Sequence, residues 1–147
     1  EQPFDQPPEY LIAGGLIFQP LNIPLLRGFG EDWKRRAPFR LVHFAGESPS
    51  AERNGLVALT SVLPDPYVLG YQDARLLIVD QVNGKKISRI ADVQAALQAS
   101  PDGFHTVEFL RGDNLRRIVL DAAQMEAATK RILERYRIPA ASNVATN

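Results

Sequence analysis

The sequence lacks cysteine and has no excess of charge of either sign. Its 147 residues include 17 basic and 17 acidic residues, which cancel to a formal net charge of zero. Without thiols, the chain has no disulfide bond, no thiolate zinc site and no cysteine nucleophile. The balanced charge argues against a nucleic-acid surface, which needs basic residues to neutralise phosphates. No apolar run approaches the roughly 20 residues of a membrane helix, so we expect no membrane insertion.

Signs of metal or catalytic chemistry are also scarce. The two histidines, His43 and His105, have no acidic or histidine partner at metal-ligand spacing, so we expect no metal and no cofactor. No serine lies in a Gly-x-Ser-x-Gly elbow or in the Gly-Asn-Ser-Gly-Gly setting of trypsin-like enzymes. A serine nucleophile also needs a base and an orienting acid within reach. We therefore predict no catalytic residue and no enzymatic activity in this chain.

The most informative pattern is the run LLIVDQVNGKKISRIADVQAAL, from Leu76 to Leu97. It predicts a strand, a tight turn, a short strand and then a helix. Asn83-Gly84 is a strong hairpin signal, because both residues tolerate positive φ. Ser88 is the predicted N-cap of the helix, whose apolar face combines Ile90, Val93 and Leu97 at positions i, i+3 and i+7.

The rest of the chain adds strands on both sides of this run. Residues 10–21, YLIAGGLIFQPL, predict a loop or bulge at Gly14-Gly15 followed by a buried strand. Further strands are predicted at 39–44, 56–63, 105–110 and 115–120. Asp121 is the predicted cap of a last helix, with Gln124 as its capping-box partner.

These elements predict a mixed, mainly β fold of about six strands and two or three α-helices. We expect a partly open antiparallel β-barrel flanked by the helices, since short turns join consecutive strands. We expect one domain over residues 10–139, preceded by a linker from an upstream region (1–9). Within it, residues 22–38 form an insertion and 122–136 the C-terminal helix, and residues 140–147 follow as a flexible tail.

An aspartate and an Asn-Gly turn leading into a short amphipathic helix resembles the second half of a PDZ domain. From Tyr10 to Pro139 the chain resembles the C-terminal PDZ domain of plant-type Deg proteases, which are HtrA-family serine proteases. Three stretches carry the resemblance: YLIAGGLIFQPL; LVALTSVLPDPYVLGYQD with VDQVNGKKI; and AAQMEAATKRILERYRIP.

The resemblance implies a peptide groove with a glycine-containing carboxylate loop, a strand edge and a helical wall. The loop falls either on Gly15-Leu16-Ile17-Phe18 or, two residues earlier, on Ala13-Gly14-Gly15-Leu16, and patterning does not separate the two registers. The expected peptide-binding residues are Ala13, Gly14, Gly15, Leu16, Ile17, Phe18, Ile90, Val93, Gln94 and Leu97.

Two functions follow from this resemblance. The first is a non-catalytic regulatory domain that binds C-terminal or extended hydrophobic peptide segments by β-augmentation. The second is an oligomer-assembly module with an occluded groove, in which the 22–38 insertion and the last helix supply the interface. The implied partners are peptide or protein C-termini, an upstream serine endopeptidase domain and further copies of the chain. The implied location is periplasmic in a bacterium and organellar in a plant or alga.

Overall fold

A single antiparallel sheet organises the chain in the computed structural model, which describes residues 9–21, 55–110 and 117–143. The strands are β1 (Tyr10–Ala13), β2 (Leu16–Pro20), β3 (Val57–Val62), β4 (Leu77–Val82), β5 (Lys85–Lys86), β6 (Phe104–Phe109), β7 (Arg117–Asp121) and β8 (Ser142–Asn143). The helices are α1 (Ile90–Ala96) and α2 (Ala122–Arg135), with 3₁₀ turns at Pro66–Val68 and Pro101–Gly103.

The strands follow the order β7-β6-β4-β3-β2-β1-β8, and β5 forms a short hairpin with β4. The sheet is open, and the predicted mainly β, PDZ-like class is confirmed. The predicted strand at 39–44 and the 22–38 insertion lie outside the described residues. Of the predicted tail, Ser142–Asn143 form β8, whereas residues 144–147 lie outside the described part of the chain.

The core fills the space between the sheet and the two helices. Helix α1 buries Ile90 and Val93, as its spacing predicts, and also Ala96, whereas the predicted Leu97 is only partly buried. Helix α2 buries Met125, Ala128 and Ile132. Among the described residues, the largest fully buried side chain is Phe18 on β2. Full burial of an apolar side chain of this kind contributes about 1.5–3 kcal/mol, so the core holds both helices against the sheet.

Gly14-Gly15 forms the turn of a hairpin, with a strand on each side of it. The sequence-based prediction placed a strand only after the glycines, whereas Tyr10–Ala13 forms β1 and pairs with β2. Gly14 and Gly15 have φ values of +62° and +108°, which glycine adopts without steric cost. A Cβ at Gly15 would lie 2.8 Å from the Leu63 carbonyl oxygen, so the turn also needs the missing side chain.

The caps of the two helices differ from the predictions in detail. Arg89, not Ser88, is the N-cap of α1, and the carboxylate of Asp92 accepts the backbone N–H groups of both residues at 2.9 and 3.0 Å. Asp121 caps α2 as predicted and accepts the N–H of Ala123 at 3.0 Å. The Nε2 of Gln124 donates to the Asp121 carboxylate at 3.2 Å, whereas a capping box needs the Gln124 side chain to accept the backbone N–H of Asp121, so the predicted capping box is wrong at this residue.

Helix α2 is joined by polar contacts to the connection between β3 and β4. The side chain of Asp65 is fully buried, and Arg131 contacts both of its oxygens, at 3.2 and 2.7 Å. Hydrogen bonds from Arg131 hold the pKa of Asp65 below its usual value. The hydroxyl of Tyr67 donates to the Asp121 carbonyl, and burial raises the pKa of Tyr67 to about 12. These contacts join α2 to the 3₁₀ turn that follows β3.

Candidate functional site

The outer edge of β1 carries a strand from the far end of the chain. β8 runs antiparallel to β1, with Asn143 opposite Tyr10 and Ser142 opposite Leu11. The N–H of Ile12 donates to the Ala141 carbonyl at 2.7 Å. The Tyr10 hydroxyl donates to the carbonyl of Ala140, also at 2.7 Å. A segment about 130 positions away in the sequence is therefore added to the sheet as its last strand.

Helix α1 forms the second wall of this site. It contacts both β1 and β2, and the side-chain amide of Gln94 donates to the Ser142 hydroxyl at 3.4 Å. Ser142 lies opposite the buried Leu11, so its side chain shares the core-facing side of the sheet. The segment of residues 140–143 thus lies along β1 within reach of α1, and this arrangement is called the β1–α1 groove below.

The structure divides the predicted site residues among three environments. Leu16 and Phe18 are fully buried on β2, which pairs with β1 on one side and with β3 on the other. Ile17 is half-buried on the same strand, and Ala13 ends β1. The strand that pairs with the added segment beside α1 is therefore β1, one strand before the edge expected from the sequence.

The glycine turn is tied to the surrounding structure. The N–H of Gly14 donates to the Thr129 hydroxyl of α2 at 2.7 Å. The carbonyl of Gly15 accepts the N–H of Leu63 at the same distance. A peptide carboxylate would have to displace Thr129 in order to bind the Gly14 N–H.

On the helix, the predicted residues also differ in accessibility. Ile90 and Val93 are fully buried and support the wall from within. Leu97 is partly buried against the core, and Gln94 reaches the added strand from the rim. Tyr10, Ile12 and Ser142 were not predicted as site residues. The Gly-Gly pair between two apolar stretches is a hairpin signal that could have identified β1.

Asn83 holds the C-terminal end of α1 in place. Its side-chain amide nitrogen lies 3.0 Å from the carbonyls of Ala96 and Ala99 and from Nδ1 of His105. Its side-chain oxygen accepts the N–H of Thr106 at 2.9 Å. An amide nitrogen only donates, so a hydrogen bond between Asn83 and His105 needs Nδ1 as the acceptor, which suits a neutral ring. Burial lowers the pKa of His105. The predicted Asn-Gly turn is confirmed and positions the helical wall of the groove.

Within the described ranges, no group of three histidine, cysteine or acidic residues could hold a metal ion. None of the described helices is long and apolar enough to cross a membrane.

Comparison with known proteins agrees with this geometry. A family model for the PDZ domain matches residues 1–143. The protein named Protease Do-like 2, chloroplastic, from Arabidopsis thaliana is 30% identical over 137 residues. That match covers 90% of this chain and 21% of the relative, so the chain spans about a fifth of the relative's length. An open antiparallel sheet with a short helix beside its β1 edge, together with the match to the family model, places this chain in the PDZ domain family.

Proposed function

We propose that this domain binds extended peptide segments as an added strand on the edge of β1, in the β1–α1 groove. PDZ domains are protein-interaction modules that recognise peptides by β-augmentation. The observation that supports the proposal most strongly is the pairing of β1 with β8, because the edge accommodates an antiparallel strand beside α1. In this interpretation the Ile12 N–H binds the peptide backbone, and Gln94 contacts a polar side chain.

The residues expected to bind peptide have distinct parts in this proposal. Ile90, Val93 and Leu97 support the helical wall, and Gln94 contacts the ligand. Leu16, Ile17 and Phe18 support β1 from the neighbouring strand. The carboxylate-loop role of Ala13, Gly14 and Gly15 stays a prediction, and the engagement of Gly14 by Thr129 argues against it.

The domain's setting follows from its relative. We infer that it is a non-catalytic regulatory part of a Deg/HtrA-like serine endopeptidase and acts beside an upstream protease domain. The relative's name identifies that protein as a chloroplastic protease. An organellar location is therefore the better supported proposal for a plant protein of this kind, and the comparisons give no support to a periplasmic one.

A second candidate function is assembly of the protease with an occluded groove. Two observations favour it. The β1 edge is covered by β8, and Phe104 and Val119 are exposed at 50% and 39% as diagonal neighbours on the β6–β7 hairpin. An exposed apolar pair of this kind suits a contact between subunits.

One experiment distinguishes the two proposed functions. The chain is titrated against fluorescent peptides with apolar C-terminal residues, each as free acid and as amide, while light scattering measures the mass of the same sample. Saturable binding supports recognition, and its loss on amidation would identify a carboxylate-dependent site. Absence of binding together with a dimer or larger species supports assembly. Absence of binding by a monomer contradicts both proposals.

A further inference from the structure

We propose that residues 140–143 are an intramolecular ligand of the β1–α1 groove, and that the groove is built for internal extended segments. The inference rests on the proposed peptide-binding function and concerns its regulation and ligand class. It assigns to β8 the position that an external peptide takes, so an incoming peptide must first displace the chain's own strand.

The hydrogen-bond pattern shows how the segment is held. In an antiparallel pair, hydrogen-bonded and non-hydrogen-bonded residue pairs alternate. The bond from Ile12 to Ala141 makes that pair a hydrogen-bonded one. Leu11 and Ser142 then form a non-hydrogen-bonded pair, and the N–H of Asn143 faces the Tyr10 carbonyl. Residues 141 and 143 therefore bind through their backbone, and Ser142 contacts α1 through its side chain.

The direction of β8 indicates which ligands fit. Opposite Asn143, Tyr10 is the first residue of β1, so the next ligand residue passes Glu9. A peptide ending there would place its carboxylate beside an acidic residue. The segment in the groove is itself internal, since the sequence continues to Asn147. These features favour ligands that continue through the groove.

The contacts that bind residues 140–143 allow this segment to be exchanged for another strand. Ala141, Ser142 and Asn143 are only half-buried, and β8 has two residues. Tethering six residues after the end of α2 nevertheless gives the segment an effective concentration on the order of millimolar. If β8 occupies the groove in about 90% of molecules, the apparent dissociation constant of an external peptide rises about tenfold.

The test compares three chains with the full chain. The first is truncated after Ala140 and loses β8. The second is truncated after Val144 and is the matched control, since it retains β8. The third is full-length Asn143→Pro, which removes the N–H that faces Tyr10 and keeps the experiment decisive if the first truncation does not fold. The probe is a fluorescent peptide with the sequence of residues 138–146, acetylated and amidated, and circular dichroism checks the fold of every chain.

Two readouts are measured on each chain: the dissociation constant of the probe and the hydrogen exchange rate of the Ile12 amide. We expect the chain truncated after Ala140 to bind the probe about tenfold more tightly than the full chain and its control, with faster exchange at Ile12. Asn143→Pro should shift both values in the same direction. Equal probe affinity in all folded chains, or unchanged exchange at Ile12, would overturn the inference.

Two further outcomes separate this inference from the proposed function. If the chain truncated after Ala140 binds apolar panel peptides but not the probe, the intramolecular ligand is refuted and peptide recognition stands. If that folded chain binds neither, peptide recognition also fails. A full chain that is dimeric, and becomes monomeric on loss of β8, would show that the strand comes from a second copy and would contradict the intramolecular assignment.

Discussion

The two C-terminal elements, α2 and β8, are attached to the same sheet in different ways. Helix α2 buries Met125, Ala128 and Ile132 and forms an ion pair with the fully buried Asp65. Strand β8 is half-buried and is held by a few hydrogen bonds to β1 and α1. Losing apolar burial, or leaving a buried carboxylate without its partner, is costly, whereas edge hydrogen bonds can be replaced by those of another strand. The comparison indicates that α2 belongs to the permanent frame and β8 to the exchangeable part of the domain.

The strongest test of the frame is Ile132→Ala. Ile132 is fully buried, so truncation leaves a cavity and should lower the free energy of unfolding by about 2–5 kcal/mol. Chemical denaturation measures this change, with the exposed Glu134→Ala on the same helix as control. A loss as small as that of the control would show that α2 is not part of the cooperative core.

Gly15→Val tests whether the glycine turn is structural. Its φ of +108° strains any other residue, and the new Cβ would lie 2.8 Å from the Leu63 carbonyl oxygen. We expect a loss of about 2–4 kcal/mol, measured by thermal and urea unfolding.

The matched control is Gly70→Val, because Gly70 has a φ of +100° but no atom within 4 Å of the corresponding Cβ. Gly70→Val should lower the free energy of unfolding by less than Gly15→Val does. The difference between the two losses measures the cost of the contact at the Leu63 carbonyl oxygen, apart from backbone strain. If Gly15→Val abolishes peptide binding and leaves the melting curve unchanged, the turn serves as a carboxylate loop and the structural interpretation is wrong.

Asp65→Asn tests the polar link between α2 and the connection from β3 to β4. The substitution removes the carboxylate that Arg131 contacts through both oxygens and should cost about 1–3 kcal/mol. Because the folded pKa of Asp65 is lowered, its contribution is present above the unfolded value of about 3.9 and is lost as pH falls below it. Unfolding free energies at pH 7 and pH 3 check both statements, with the exposed Asp73→Asn as control. An Asp65→Asn variant that loses as much unfolding free energy between pH 7 and pH 3 as the native chain would contradict both statements.

Substitution of His105, near the groove, should have a smaller effect on the pH dependence of stability. Burial lowers its folded pKa, so the unfolded chain takes up the proton first as pH falls. The contribution of His105 to stability is therefore present above about pH 6.5 and decreases below that value. His105→Asn, which keeps an acceptor near Asn83, should flatten the stability profile between pH 7 and pH 5. An unchanged slope in that window would show that His105 is not the titrating group.

Loss of β8 should have the smallest effect on stability. Truncation after Ala140 removes edge hydrogen bonds and little apolar burial, so we expect a change below about 1 kcal/mol in the free energy of unfolding. Urea denaturation measures it against the truncation after Val144. A loss comparable to that of Ile132→Ala would place β8 in the frame and remove the contrast with α2.

The local pattern was sufficient to predict the elements whose residues carry their own signal. Asn83-Gly84 predicted the β4–β5 turn, the spacing of Ile90 and Val93 predicted the buried face of α1, and Asp121 predicted the start of α2. The resemblance of the middle stretch to PDZ domains predicted the family. Ser88 was predicted as a cap because it precedes the helix, but the carboxylate of Asp92 satisfies the N–H groups at that end.

The position of the groove was harder to predict. The sequence indicated a glycine turn, a strand and a helix, but which edge of the hairpin faces outward depends on how β2 pairs with β3. The pairing of β1 with residues 142–143 carries no local signal, since a short polar segment after a helix is typical of a loose terminus.

The sequence by itself determined the class of this domain: a cysteine-free, charge-balanced, mainly β chain whose turns and helix caps are encoded within a few residues. Only the tertiary structure decided that β1 precedes β2 in the hairpin, that Gly14 is engaged by Thr129 and that residues 140–143 lie along β1. The physical reason is the distance along the sequence over which each interaction acts. Turns and caps depend on neighbouring residues, whereas strand pairing depends on backbone groups that every residue possesses, so their partners are chosen by the packing of the whole sheet.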